Sequence, residues 1–301
     1  MKTFNFKVSQ EDAGFRLDAF LAKELSPEIS RSSIKKLIAK RCVLVNSKNS
    51  KPASRLKFDD LISVNIDEEE ATSLVKADIA LNIIYEDEDI LAIDKPSGLS
   101  VHPGAGNKIN TVANALIAYT DKLSKIDPNR PGIVHRLDKD TSGIMVIARN
   151  NEAHYNLTTQ FKNHSIKKTY LAVVEGQVQF DEGFIDAPIE TDARNRQRMK
   201  VNFASNRPAR TEYKVLKRFQ NFSVLELSPI TGRTHQLRVH MKYLGHPIVG
   251  DKKYSSRVKF NRLCLHAKSI RLQHPKTNEV IELEAKIPEE ISVFIKGLEK
   301  K

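Results

Sequence analysis

His135-Arg136-Leu137-Asp138-Lys139-Asp140-Thr141-Ser142-Gly143 runs directly into the apolar stretch Ile144–Ala148. An imidazole, a guanidinium, two carboxylates, an ammonium and two hydroxyls precede a glycine. The apolar run behind them reads as a buried strand. Polar groups on a loop held by a rigid strand are where proteins commonly carry chemistry. The same residues also suit a plain solvated turn, because Asp, Ser and Thr side chains bond to nearby backbone.

Outward from this stretch the chain alternates strand and helix signals. Ile83–Tyr85 and Ile90–Ile93 flank the acidic turn Glu86–Asp89 and predict a hairpin. Asn110 is placed to cap a helix running to Thr120, with Val112, Leu116 and Ile117 inward. Asn150 or Asn151 is placed to cap a second helix carrying Ala153, Leu157 and Phe161. Strands are expected at 167–174, 211–216, 223–227, 263–272 and 280–283, and a short helix closes the chain. Leu237, Met241 and Leu244 follow helical spacing. Residues 83–300 therefore predict an α+β domain: a mixed, largely antiparallel sheet with helices on its faces.

Nearer the N-terminus, Phe4, Phe6 and Val8 alternate as a short strand. Residues 13–70 predict a small α+β domain. Leu17, Phe20, Leu21 and Leu25 mark one helix, which Pro27 interrupts. A second helix starts near Ser30, with Ile34, Leu37 and Ile38 inward. Its other positions carry Arg31, Lys35, Lys36, Lys40 and Arg41, all of one sign. Val43 and Val45, then Ile62, Val64 and Ile66, alternate as strands. The acidic run Asp67–Glu70 and weak periodicity beyond it make 71–82 a linker.

The chain has 301 residues, with 49 Lys and Arg against 37 Asp and Glu, a net charge of +12. That balance favours a polyanion, with nucleic acid ahead of a membrane surface. From Glu190 onward the excess is local: Arg194, Arg196, Arg198, Lys200, Arg207 and Arg210 face few acids. No apolar run approaches the ~18 residues of a membrane span, and Met1–Gln10 lacks the apolar core of a signal peptide. Cys42 and Cys264 are far apart in apolar surroundings, so both read as buried free thiols. A cytoplasmic protein is expected.

Several chemistries lack their residues. His135, His164, His235, His240 and His266 are scattered, with no metal-binding spacing. Phosphate-loop, dinucleotide-binding and serine-elbow patterns are absent. A carboxylate remains, Asp138 or Asp140. Such a group can attack an anomeric carbon or stabilise an oxocarbenium-like centre. It must stay ionised for this, and a guanidinium such as Arg238 offsets part of its desolvation. Tyr170, behind Lys167 and Lys168, offers a ring for base stacking, although a strand aromatic serves packing equally well.

Three motifs in order carry a resemblance. They are His135-Arg136-Leu137-Asp138-x-x-Thr141-Ser142-Gly143, Lys168-Thr169-Tyr170-Leu171-Ala172, and Gly232-Arg233-Thr234-His235-Gln236-Leu237-Arg238-Val239-His240. Asp94-Lys95-Pro96-Ser97-Gly98-Leu99, His246-Pro247-Ile248-Val249-Gly250-Asp251 and Leu265-His266-Ala267 support them. Residues 83–290 resemble the pseudouridine synthase family that modifies large-subunit ribosomal RNA and some transfer RNAs. Arg16-Leu17-Asp18, Arg31-Ser32-Ser33 and Val43-Leu44-Val45-Asn46 resemble the alpha-L RNA-binding module named after a small-subunit ribosomal protein.

The resemblance implies a catalytic Asp138, Arg238 paired with it, and Tyr170 against the target base, helping to remove the uracil C5 proton. It further implies RNA contacts by Arg136, Arg233 and His235, and by Arg31, Lys35, Lys36 and Lys40 of the N-terminal module. The implied reaction converts uridine to pseudouridine, most directly in 23S ribosomal RNA, on a flipped-out base and without cofactor or metal. RNA is the expected partner, not DNA or a membrane, and a monomer is expected. A non-catalytic RNA-binding factor and a nucleoside or glycoside hydrolase are the alternatives.

Overall fold

The computed structural model describes residues 2–25, 29, 31–66, 74–104 and 109–299. Pro27, Ser30, the acidic run 67–70 and the first part of the expected linker, 71–73, lie outside the described residues.

The N-terminal elements are β1 (Lys2–Lys7), α1 (Leu17–Glu24), α2 (Arg31–Ala39), β2 (Val43–Val45), β3 (Lys48–Asn49) and β4 (Leu61–Ile66). The strands pair antiparallel in the order β1-β4-β2-β3. β1 lies along β4 from Lys2 opposite Ile66 to Lys7 opposite Leu61, so this sheet begins ahead of residue 13. Leu17, Phe20 and Leu21 of α1 and Ile34 and Ile38 of α2 recur every three or four residues. They bury one stripe of each helix in a core shared with Val43, Ile62 and Val64. Asp18 joins the helices. Its buried carboxylate accepts from Arg16 Nε at 3.0 Å and Arg31 Nη2 at 3.1 Å, and Lys35 Nζ stands 3.7 Å away. Two of the expected RNA-facing cations therefore also tie α2 to α1, and Arg31, Lys35, Lys36 and Lys40 are all exposed.

The larger unit comprises β5 (Asn82–Glu86), β6 (Ile90–Lys95), α3 (Val112–Tyr119), β7 (Ser142–Ala148), α4 (Asn151–Lys162), β8 (Lys167–Glu175), β9 (Glu182–Asp186), β10 (Ile189–Thr191), β11 (Met199–Val201), β12 (Arg210–Phe219), β13 (Phe222–Pro229), α5 (Gln236–Tyr243), β14 (Leu265–Gln273), β15 (Val280–Glu284) and α6 (Glu289–Leu298). Its main sheet runs β5-β6-β7-β14-β8-β13-β12-β9, with β15 also on β14. Every pairing in it is antiparallel except the short β7–β14 contact, so the sheet is mixed and largely antiparallel, as expected. Every residue of β7 is buried, which accounts for its unbroken apolar run. Gly143 has φ +117°, and a Cβ there would stand 2.2 Å from the Ala267 carbonyl oxygen, so only glycine permits the β7–β14 crossing. Gly143, Ala267, Tyr170 and Leu227 form one row across β7, β14, β8 and β13.

Some local expectations change. Thr111, not Asn110, caps α3: its backbone is extended and its hydroxyl accepts from the Asn114 N–H. Asn150 caps α4, accepting from the Ala153 N–H at 2.8 Å. Cys264 is buried, but Cys42 is only half-buried. The β10–β11 hairpin falls in the charged segment, where arginines hide the alternation of two three-residue strands. Residues 74–81 carry no regular element, yet Leu74 is buried in the larger unit's core and the Val75 carbonyl accepts from Asn114 Nδ2. Among the described residues no helix is long and apolar enough to cross a membrane.

The Arg16 hydrogen bond, helped by Arg31 and opposed by burial, holds the Asp18 carboxyl down at about 2. A depressed carboxyl pKa adds stability above the unfolded value and loses it as pH falls through the folded one. Asp18→Asn should therefore lower the thermal midpoint near neutral pH. The gap to wild type should close as pH falls from about 4 towards 2.

Candidate active site

The opening loop is held from two sides. Lys95, at the end of β6, is fully buried. Its ammonium donates to the carbonyls of Pro96 at 2.8 Å, Leu99 at 2.9 Å and Lys139 at 3.1 Å. Burial pulls it down to about 7, while the Asp138 and Asp140 charges oppose this. The Gly98 N–H also donates to the Lys139 carbonyl, and Ser97 Oγ donates to that of Asp140. Asp94–Leu99 thus clamps the backbone just after Asp138. Ahead of it, His135 stacks on Phe161 at 4.7 Å, and its Nε2 accepts the Val146 N–H. Burial pushes His135 down to about 3, which matches a neutral acceptor and a structural role.

The clamp separates the two carboxylates. Asp138 faces a cavity of about 380 Å³, whereas Asp140 is exposed and borders a larger groove on the other side. Tyr170, Arg136, Arg233, His235 and Arg238 line the same cavity as Asp138. A void of that size suits one small ligand. Arg31, Lys35, Lys36 and Lys40 belong to the N-terminal unit and do not line it.

Arg238 projects from α5, whose start is built by Gln236. Gln236 Oε1 accepts from Thr231 Oγ1 and the Arg233 N–H, and its Nε2 donates to the Arg210 carbonyl and Thr211 Oγ1. His235, at the helix N-cap, adopts φ 56° and ψ 17°, a left-handed conformation uncommon for non-glycine residues. This turn brings the Arg238 guanidinium to Asp138, Nη1 to Oδ2 at 3.3 Å. Its shorter bonds go elsewhere: Nε and Nη2 each donate to Asp251 at 2.8 Å. Burial works against this charge, but Asp251 and Asp138 outweigh it and raise Arg238 above the ordinary arginine value. The expected pairing with Asp138 is present, but Asp251 is the principal partner. Asp251 was visible only as the last residue of His246–Asp251, and no spacing connects it to Arg238.

Tyr170 stands on β8, packed against the cores on both sides of β14. Burial first, then the Asp138 charge, raises its phenol above the ordinary range, so it stays protonated. Lys168, two residues along the same strand, lines the same cavity, and burial lowers its pKa. His235 Nε2 lies 3.9 Å from Asp138 Oδ2. His240 is structural: it bonds Thr211 Oγ1 and the Ala187 carbonyl inside the core. One group elsewhere among the described residues has metal-ligand donors: Asp87 and Asp89 at the β5–β6 turn, with His274 from the end of β14. Its donors are engaged in hydrogen bonds: His274 Nε2 to Asp87, His274 Nδ1 from the Lys276 and Thr277 N–H groups, and Asp89 from Asn150.

Removing one partner of a buried ion pair leaves the other charge uncompensated, at a cost of roughly 3 kcal/mol. Asp251→Ala should thus lower the thermal midpoint by several degrees, and Arg238→Met in the same background should recover part of the loss.

Comparison with known proteins gives a consistent relationship. The family model for RNA pseudouridylate synthase matches residues 89–243, and that for the S4 domain matches residues 15–62. An uncharacterised RNA pseudouridine synthase of Bacillus subtilis is 40% identical over 100% of this chain and 99% of its own. Ribosomal large subunit pseudouridine synthase D of Xanthomonas campestris is 40% identical, covering 97% of this chain and 91% of its own. Among solved structures, human RNA pseudouridylate synthase domain containing 4 aligns with a TM-score of 0.58 and 26% identity, over 72% of this chain and 93% of that one. With its cavity framed by three strand- and helix-borne motifs and its length matched by such relatives, this chain belongs to the RNA pseudouridylate synthase family, enzymes that isomerise uridine in RNA to pseudouridine.

Proposed function

We propose that this enzyme isomerises uridines of 23S ribosomal RNA, with Asp138 as the catalytic carboxylate. The observation that carries the site assignment is Asp138 in the cavity, bonded by a buried Arg238 and faced by Tyr170. The substrate reading is supported by relatives that bear the ribosomal large-subunit name; transfer RNA is the second class. In this reading the N1–C1′ bond breaks, the uracil turns within the cavity, C5 bonds to C1′, and the C5 proton is lost while N1 gains one. Asp138 acts at the ribose, by attack on C1′ or by assisting an elimination. Tyr170 lies against the base; with burial and the Asp138 charge holding its phenol protonated, it serves as a stacking surface and not as the expected acceptor of the C5 proton. Arg136, exposed at the rim, helps to hold the target nucleotide out of the stack. Arg233 and His235 complete the nucleotide contacts.

RNA outside the cavity has a cationic path. The groove beyond Arg238, about 1110 Å³, carries Arg198, Lys252, Lys253, Arg262 and Lys286 against Asp94, Asp140, Glu289 and Glu290, an excess of positive charge although Arg262 is paired with Glu290. These cations suit phosphates, which position without reading sequence. In this proposal the RNA-binding module is the expected 13–70 extended forward by β1, and the catalytic domain is the expected 83–300 extended back to Asn82 of β5, with the stretch between them as the link. The module offers Arg31, Lys35, Lys36 and Lys40 to RNA backbone. The enzyme acts in the cytoplasm, as a monomer, on RNA and not DNA.

Asp138→Asn should abolish pseudouridine formation while RNA affinity stays within a few-fold; near-full turnover would overturn the assignment. Release of free uracil by the wild-type protein would point to a hydrolase. Mapping pseudouridines in total RNA with and without the gene identifies the substrate: loss of large-subunit sites supports it, and loss of transfer RNA sites alone moves it to the second class. Lys36→Gln with Lys40→Gln should weaken RNA binding and make its salt dependence shallower, by about 0.7 in log–log slope per lost phosphate contact.

A further inference from the structure

Tyr254 lies three residues beyond Asp251 and is 3% exposed. None of the roles above uses it. Its ring lies 5.2 Å from the Arg238 Cζ and meets the His235 ring edge-on at 5.5 Å. Its backbone N–H donates to Asp251 Oδ1 at 3.0 Å. Its hydroxyl accepts the Met199 N–H of β11 at 2.8 Å and stands 2.7 Å from His235 Nδ1.

A phenol has one proton to give. Among the described residues, the acceptor bonded to this hydroxyl is His235 Nδ1. With one lone pair of the oxygen taken by the Met199 N–H, this geometry favours donation of the phenol proton to Nδ1, the arrangement in which the ring proton sits on Nε2. Burial keeps His235 below its ordinary value, Arg238 and Lys253 add to this, and Asp138 and Asp251 oppose it. In that tautomer the Nε2–H faces Asp138 Oδ2 across 3.9 Å.

That separation is too long for a direct hydrogen bond, but one oxygen about 2.8 Å from each atom bridges it. A ribose hydroxyl can accept from Nε2–H and give its own proton to Asp138. With the other tautomer, Nε2 would accept, and it would compete with Asp138 for that proton.

We propose that Tyr254 is a positioning residue for the isomerisation: held by the Met199 N–H of the β10–β11 hairpin, its hydroxyl selects the His235 tautomer that orients a ribose hydroxyl of the target nucleotide towards Asp138. This rests on Asp138 being the catalytic carboxylate. The hairpin that carries Arg194, Arg196 and Arg198 at its tip thereby also sets the hydrogen bonding of the cavity.

The test is nitrogen NMR of full-length protein labelled with ¹⁵N in its histidine rings, at pH 7.5, assigned with a His235→Gln variant. Wild type should report His235 with its proton on Nε2, and Tyr254→Phe should report a mixture or the other tautomer. In steady-state assays on an RNA transcript, Tyr254→Phe should lower kcat about tenfold or more, with KM within about threefold. A wild-type ring protonated on Nδ1 overturns the proposal, and that result does not depend on any Tyr254 variant folding. So does a Tyr254→Phe enzyme with wild-type kcat. Failure of the Asp138 reading is distinguishable, because it appears as an active Asp138→Asn enzyme.

Discussion

Arg238 has to be satisfied while almost wholly buried, and the site is arranged around that requirement. A buried guanidinium needs acceptors along its fork, and Asp251 supplies two at 2.8 Å. The remaining edge reaches Asp138 at 3.3 Å. Because Asp251 locks the fork, Arg238 is a fixed point for Asp138 and does not follow the loop. A buried pair of this kind adds little net stability, since desolvation offsets much of the attraction. Its value here is geometric: a charged donor is held aimed into the cavity by the fold itself.

The cavity lies at a seam in the main sheet. β5, β6 and β7 form one half, while β8, β13, β12 and β9 form the other, and β14 joins them. Each half has its own hydrophobic core, and Tyr170 packs against both. Asp138 precedes β7, on one half. Arg238 follows β13, on the other. Gly143 lets β7 approach the β14 backbone, and the Lys95 carbonyl cage fixes the loop just ahead of that crossing. Carboxylate, guanidinium and phenol are thus carried by elements whose spacing the sheet sets.

Much of this was legible in the chain. The apolar run of β7, the hairpin of β5 and β6, and the stripes of α1 and α2 follow the periods of two and 3.6 that backbone geometry imposes. Asp138, Tyr170, Arg238, Arg136, Arg233 and His235 were all marked by motifs, and all line one cavity. Other features were hidden for identifiable reasons. The β10–β11 hairpin is short and arginine-rich, so alternation carries no signal. Asn110 and Thr111 are both good caps, and only the extended backbone at Thr111 separates them. The one-sign face of α2 concealed that Arg31 and Lys35 lean on Asp18, a carboxylate one helix away.

The sequence by itself determined which groups are available, which strands and helices carry them, and, through long ordered motifs, the family to which the chain belongs. Tertiary structure decided which of Asp138 and Asp140 faces the cavity, that Asp251 is the principal partner of Arg238, and that Lys95 ends in a cage of carbonyls. It also brought Tyr254 between His235 and the Met199 N–H. The reason is one of range. Side-chain periodicity is set by the local backbone, and so it survives in the one-dimensional string. A bond between residues a hundred positions apart depends on strand register, on the close approach that Gly143 permits, and on which buried charge has to be satisfied first.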